Sequence, residues 1–261
     1  MRILVTNDDG ILAPGISALY RAVADLGHVD VVAPETTQSA MGHAITIKTP
    51  MLVRRVHVNN TFHGWAVDGR PADCVKLAMK ELLDEPPDFV VSGINHGANT
   101  GVNVLYSGTV AGAAEGSFFG PPSMAFSLEL SEKLDFEKAE KIAREMFIQY
   151  AKSKPHRGMC LNVNFPPLDH GWPRGVKCTP MGLLTMDDHY IKERHEDGTM
   201  YWLDGKLPDH QRDPQSDLAA LRENYVSVTP LKFELTHLEQ LKEVAEWKWP
   251  QQFGAAAPGP T

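Results

Sequence analysis

The stretch Met1-Arg-Ile-Leu-Val-Thr-Asn-Asp-Asp-Gly-Ile-Leu-Ala-Pro-Gly15 governs the reading of the chain. Ile3 to Val5 is an apolar, β-rich run, and Asn7, Gly10, Pro14 and Gly15 are turn formers, so the spacing predicts a buried strand that stops at Thr6. Asp8 and Asp9 then stand in the first loop. In an open α/β sheet that loop lies at the carboxyl ends of the strands, where ligands bind. Two carboxylates about 4 Å apart, at an effective dielectric of about 20, repel by roughly 4 kcal/mol. The repulsion is relieved if one acid stays protonated, if both point into water, or if a divalent cation lies between them; only the last uses both charges. All-oxygen ligation favours Mg²⁺ or Mn²⁺ over zinc. Against this stands a plain solvated turn, with an Asx side chain bonding its own backbone.

Working outward, Ile16, Leu19, Tyr20 and Val23 have helical spacing and Gly27 ends the run, after which Val29 to Ala33 reads as a second, parallel strand. Strand, loop, helix and strand within the first thirty-odd residues open a doubly wound, mostly parallel α/β sheet of Rossmann-like type. The first loop lacks Gly-x-Gly-x-x-Gly, and carboxylates there would repel a pyrophosphate, which argues against a nicotinamide-dependent dehydrogenase. Pro34 to His43 forms a polar loop at the same edge, carrying Ser39, either a neutral oxygen ligand beside the acids or an ordinary turn residue, and His43 as a structural residue. Ala44–Lys48 and Met51–Val58 are expected to pair as strands, and Pro71 to begin a helix faced by Val75, Ala78, Met79 and Leu82.

Asp88 to Gly101 is an apolar strand breaking into a loop of Gly and Asn, and it places Asn95 at a strand's carboxyl end. The Asn95 amide oxygen can ligate a hard cation while its NH₂ donates to a phosphoryl oxygen. Ser107-Gly108-Thr109 precedes a helix of very small residues, whose free N–H groups with two hydroxyls alongside make a phosphate cradle, or else an ordinary cap. Pro121–Ser127 and Cys160–Phe165 read as further core strands, and Asp135 as the cap of an amphipathic helix between them. Residues 188–206, with Glu196-Asp-Gly198 at their centre, form a polar but aromatic hairpin, read as an arm packing on a second subunit or as a lid. Helix at Ser216–Glu223, strand at Tyr225–Thr229 and a final helix opened by a Thr236-x-x-Glu239 capping box follow. The Ala-, Pro- and Gly-rich residues 251–261 read as a disordered tail.

Composition narrows the class. At 261 residues one α/β domain over 1–250 is expected, with its core at about 1–130. No apolar run is long enough to span a bilayer, and the amino terminus lacks a signal-peptide pattern, so a soluble cytoplasmic protein with no membrane partner is expected. The net charge of −8 argues against nucleic acid as a partner. Cys74, Cys160 and Cys178 are odd in number and far apart, and read as small core residues rather than a disulfide or zinc site.

Taken together, Thr6-Asn-Asp-Asp-Gly10 with Ala13-Pro-Gly-Ile16, Gly42-His-Ala-Ile45, Val67-Asp-Gly69 with Pro71-Ala-Asp-Cys-Val75, Ser92-Gly-Ile-Asn95 and Tyr106-Ser-Gly-Thr-Val110 closely resemble the SurE family of survival-protein 5′-nucleotidases, in family order. The resemblance implies a phosphatase dependent on one divalent ion per subunit, Mg²⁺ or Mn²⁺, acting on nucleoside 5′-monophosphates, with 3′-monophosphates and short polyphosphate as further candidates. It implies a homodimer or homotetramer with exchanged carboxyl-terminal elements. The family's metal ligands fall on Asp8, Asp9, Ser39 and Asn95, and its phosphate-holding segment on Ser107, Gly108 and Thr109; Asp8, Asp9 and Asn95 become the candidate catalytic residues. A phospho-accepting receiver module also places an acid pair after its first strand, but would need a phosphorylatable Asp where this chain has Asn95.

Overall fold

Strand β1 (Arg2–Thr6) ends where the turn formers begin, and it takes a central place in the sheet. Ile3 and Val5 pack into the core built with α1 (Pro14–Val23) and α4 (Phe136–Lys152), whereas Leu4 faces the opposite core with Cys74 and Val75 of α2 (Pro71–Leu77). Both faces of β1 are therefore covered, which is why its sequence is a continuous apolar run rather than an alternating one. The computed structural model describes residues 1–58, 61–169, 171–183, 187–206 and 213–250; the tail predicted at 251–261 lies outside the described residues.

The remaining strands are β2 (His28–Pro34), β3 (Val53–Val58), β4 (Phe62–Val67), β5 (Phe89–His96), β6 (Ser123–Leu128), β7 (Cys160–Phe165), β8 (Val176–Cys178) and β11 (Val226–Leu231), in the order β3-β4-β2-β1-β5-β6-β7-β11-β8. From β4 to β7 every pairing is parallel; β3 and β11 run antiparallel to their inner neighbours. The chain leaves β1 toward β2 on one side and returns to β5 on the other. That reversal opens a crevice at the carboxyl ends of β1 and β5.

Helix α3 (Gly108–Phe119) lies against β5 and β6 and beside α2. Its small residues allow a close approach: a Cβ on Gly116 would sit 2.7 Å from Val90 of β5. Ser107 caps it, and Asp135 caps α4 by accepting the Lys138 N–H at 2.9 Å. After β8, β9 (Asp187–His195) and β10 (Gly198–Lys206) form a separate two-stranded ribbon around Glu196-Asp197. Tyr190, Tyr201, Trp202 and Leu203 on it are exposed. Helix α5 (Asp217–Arg222) precedes β11. A second compact unit begins at Lys232 and contributes α6 (Leu238–Ala245).

Three expectations are corrected. Ala44–Lys48 is not a strand, because the Thr46 N–H and hydroxyl donate to the buried Asp73 carboxylate at 2.9 and 2.7 Å, and the antiparallel pair is β3 with β4 instead. Helix α6 is capped by His237, whose Nδ1 accepts the Gln240 N–H at 3.2 Å, not by Thr236. Cys74 and Cys160 are buried as expected, but Cys178 is exposed on the edge strand β8.

Candidate active site

Past Thr6 the chain turns, and Asn7 Nδ2 donates to the Gly10 carbonyl at 2.8 Å. This is the Asx-type bond of a simple loop, yet Asp8 is only 4% exposed. The turn is not solvated. α3 meets Asp8 end-on: the Thr109 hydroxyl donates to Asp8 Oδ1, and the Thr109 N–H also faces that carboxyl. A Cβ on Gly108 would lie 2.7 Å from Asp8 Cβ, so only glycine lets the helix start so near the acid. Burial pushes the Asp8 carboxyl up to about 6, with the Thr109 bonds opposing and the Asp9 charge adding to the rise.

Asp9 is half-buried, and burial also raises its carboxyl; the His96 N–H, donating to Asp9 Oδ2 at 3.1 Å, works against the rise. Among the described residues the charges that bear on these acids are Asp9 on Asp8 and His96 on Asp9, with no lysine or arginine. A buried carboxyl without a cationic side chain suits a hard cation better than a structural ion pair.

The loop after β2 is tied to the acids by backbone. The Gln38 N–H donates to the Asp8 carbonyl at 2.7 Å, and the Thr37 hydroxyl to the Asp9 carbonyl at 3.2 Å. Ser39 follows directly and is exposed. Asn95 lies near the end of β5, beyond a slip in register against β6 between Ser92 and Asn95, and its Nδ2 donates to the Gly97 carbonyl at 2.7 Å. Its amide oxygen and second amide hydrogen are the groups left for a ligand. Ser107 Oγ accepts the Val110 N–H at 3.1 Å, which leaves its own proton to donate. The Thr109 hydroxyl, expected beside the phosphate cradle, points to Asp8 instead.

A family model described as survival protein SurE matches residues 3–188. This chain belongs to the SurE family. It is 46% identical to the 5′-nucleotidase SurE of Syntrophobacter fumaroxidans over 95% of this chain and 99% of that protein. It is likewise 46% identical to the 5′-nucleotidase SurE of Rhodopirellula baltica, over 95% and 98%. The crystal structure of the SurE protein from Aquifex aeolicus superposes with a TM-score of 0.80 at 36% identity, covering 94% of this chain and 98% of that one.

Within the SurE-family fold all the residues singled out from the sequence gather at one crevice: Asp8 and Asp9 after β1, Ser39 after β2, Asn95 at the end of β5, and Ser107, Gly108 and Thr109 where α3 begins. Sequence reading missed the backbone donors of Gln38 and His96, because a main-chain N–H leaves no compositional trace. It also missed Glu115 on α3, which is buried and accepts from His43 Nε2 at 2.7 Å and Lys76 Nζ at 2.5 Å. A lone acid within a helix of small residues was the available signal.

Proposed function

We propose that this chain hydrolyses nucleoside 5′-monophosphates to nucleoside and phosphate at the crevice between β1 and β5, with dependence on one Mg²⁺ or Mn²⁺ per subunit. The observation that carries the reading is the buried Asp8, beside Asp9, facing the amino terminus of α3: anionic ligands toward a cation on one side, anion-binding donors on the other. Relatives 46% identical that are named 5′-nucleotidase SurE support the substrate class.

Asp8, Asp9, Ser39 and Asn95 would hold the ion, two carboxylates with two neutral oxygens, a donor set suited to a hard cation. When bound, the ion supplies positive charge that polarises the phosphoryl group and lowers the pKa of water. The protein's own groups do the rest. Ser107 Oγ–H, the Gly108 N–H at the start of α3 and the second Asn95 amide hydrogen are the donors for phosphoryl oxygens, the Val110 N–H being taken by Ser107 Oγ and the Thr109 N–H by Asp8. Asp9, the less buried acid, orients the attacking water or accepts its proton. Thr109 holds Asp8 in place from behind.

Phosphate release from adenosine or guanosine monophosphate is measured on purified protein, then with EDTA, then with added Mn²⁺. Turnover lost to EDTA and restored by Mn²⁺ is expected. Metal-replete, folded protein that releases no phosphate from any nucleotide refutes the proposal. The exposed aromatic ribbon β9–β10 is proposed as an arm that packs on a second copy of the chain, since an isolated ribbon gains little stability in water. Among the described residues no helix is long and apolar enough to cross a membrane.

A further inference from the structure

The residues around Ser39 show an arrangement the proposed chemistry does not yet use. On one side of Ser39, the Gln38 N–H is bonded to the Asp8 carbonyl at 2.7 Å. On the other, the Gly42 N–H donates to the Tyr106 carbonyl at 2.9 Å, directly before Ser107. Ser39, Ala40 and Met41 span the two stakes, all exposed, with Ala40 at φ +58°, a conformation that a non-glycine residue adopts only when its flanks are held.

His43 supplies a third hold, through its side chain. Its Nε2 lies 2.7 Å from Glu115 Oε2, its ring stacks on Phe118 with centroids 5.3 Å apart and planes 4° apart, and Glu115 Oε1 takes Lys76 Nζ at 2.5 Å. Glu115 has a side chain only 4% exposed and lies on α3, the helix whose first turn bonds Asp8 through Thr109. The contacts close a ring: Asp8 carbonyl to Gln38, along the loop to His43, across to Glu115, back down α3 to Thr109, and to the Asp8 carboxylate. A ring of this kind sets where Ser39 stands relative to Asp8.

We infer that His43 is a positioning residue of the metal site, holding the Ser39 loop in ligating register with Asp8 through Glu115 of α3. The inference rests on the proposed function. Residues that orient ligands without touching the ion typically cost about 10- to 100-fold in metal affinity when lost. His43→Phe keeps the ring that stacks on Phe118 and removes the nitrogen; His43→Gln places an amide nitrogen where Nε2 stands. Mn²⁺ binding, followed by calorimetry or by the electron paramagnetic resonance of free Mn²⁺, is expected to weaken about tenfold or more in H43F and to stay within about threefold of wild type in H43Q.

Equal Mn²⁺ affinity in wild type and folded H43F overturns the inference, as does an H43Q that loses as much affinity as H43F. Should H43F fail to fold, H43N serves in its place: its shorter amide cannot reach Glu115, so a loss of about tenfold or more in Mn²⁺ affinity is expected, and an affinity within about threefold of wild type overturns the inference. Wild-type protein that binds no Mn²⁺ refutes the proposed function itself, whereas wild type that binds it beside an equally competent H43F refutes this inference alone.

Discussion

Replacing Asp8 by Asn separates what the site costs from what it does. The folded protein holds the Asp8 proton until about pH 6 against an ordinary 3.8, chiefly because the carboxyl is buried. An acid whose folded pKa is raised binds its proton more tightly folded than unfolded. Its favourable contribution is therefore complete below about pH 3.8 and is lost as pH rises through about 6. At pH 8 without a cation, the buried charge costs on the order of 3 kcal/mol, from about two pH units at about 1.4 kcal/mol each. Asparagine carries no charge and can still accept from Thr109 Oγ1. Metal-free D8N is thus expected to exceed metal-free wild type by up to about 3 kcal/mol at pH 8, or roughly 6–12 °C in Tm at about 2–4 °C per kcal/mol for a chain of this size. The advantage should shrink through pH 6 and vanish near pH 4. Saturating Mn²⁺ should raise the wild type, by about 2.7 kcal/mol at a hundredfold excess over Kd, and leave D8N unmoved. Urea titrations in EDTA at pH 8, 6 and 4, repeated with Mn²⁺, measure all of this, with phosphate release expected to be absent in D8N throughout. A D8N protein no more stable than wild type at pH 8 in EDTA, or one with the same advantage at pH 4, would refute the account of Asp8.

Gly108→Ala should displace Asp8, since the new Cβ meets Asp8 Cβ at 2.7 Å; loss of Mn²⁺ binding and turnover, with the far-UV spectrum retained, is the expected result. Ser107→Ala removes the proposed phosphate donor and the α3 cap together, so the rate should fall on the order of 10² to 10³ while stability falls only about 1 kcal/mol, measured by kinetics and urea midpoint. Trp202→Ser on the exposed ribbon should lower the assembly state in sedimentation while the subunit stays folded; unchanged sedimentation would count against the arm.

Several parts of the fold are readable locally. The end of β1 at Thr6, the Asp135 cap of α4 and the limits of β7 follow from apolar runs and breakers within a few residues of each boundary. Where reading failed, a distant group had claimed the backbone. Ala44–Lys48 alternates like a strand, but Asp73, 27 residues on from Thr46, takes the bonds a sheet neighbour would have used. Phe62–Val67, with His63 and Gly64 inside it, looks less like a strand and yet pairs with both β2 and β3. Edge strand β8 is three residues long, too short for any periodicity to register.

At the site, the order of residues alone settles that two acids follow the first strand and that a Ser-Gly-Thr precedes a small-residue helix, because turn chemistry and helix initiation depend on immediate neighbours. Tertiary structure decides the rest. It brings Thr109 to Asp8 across 101 positions and His96 to Asp9 across 87, turns the Thr109 hydroxyl away from the phosphate cradle, and buries Asp8 so that its charge is costly without a cation. Desolvation and long-range contact are properties of the packed chain, and no run of adjacent residues carries them.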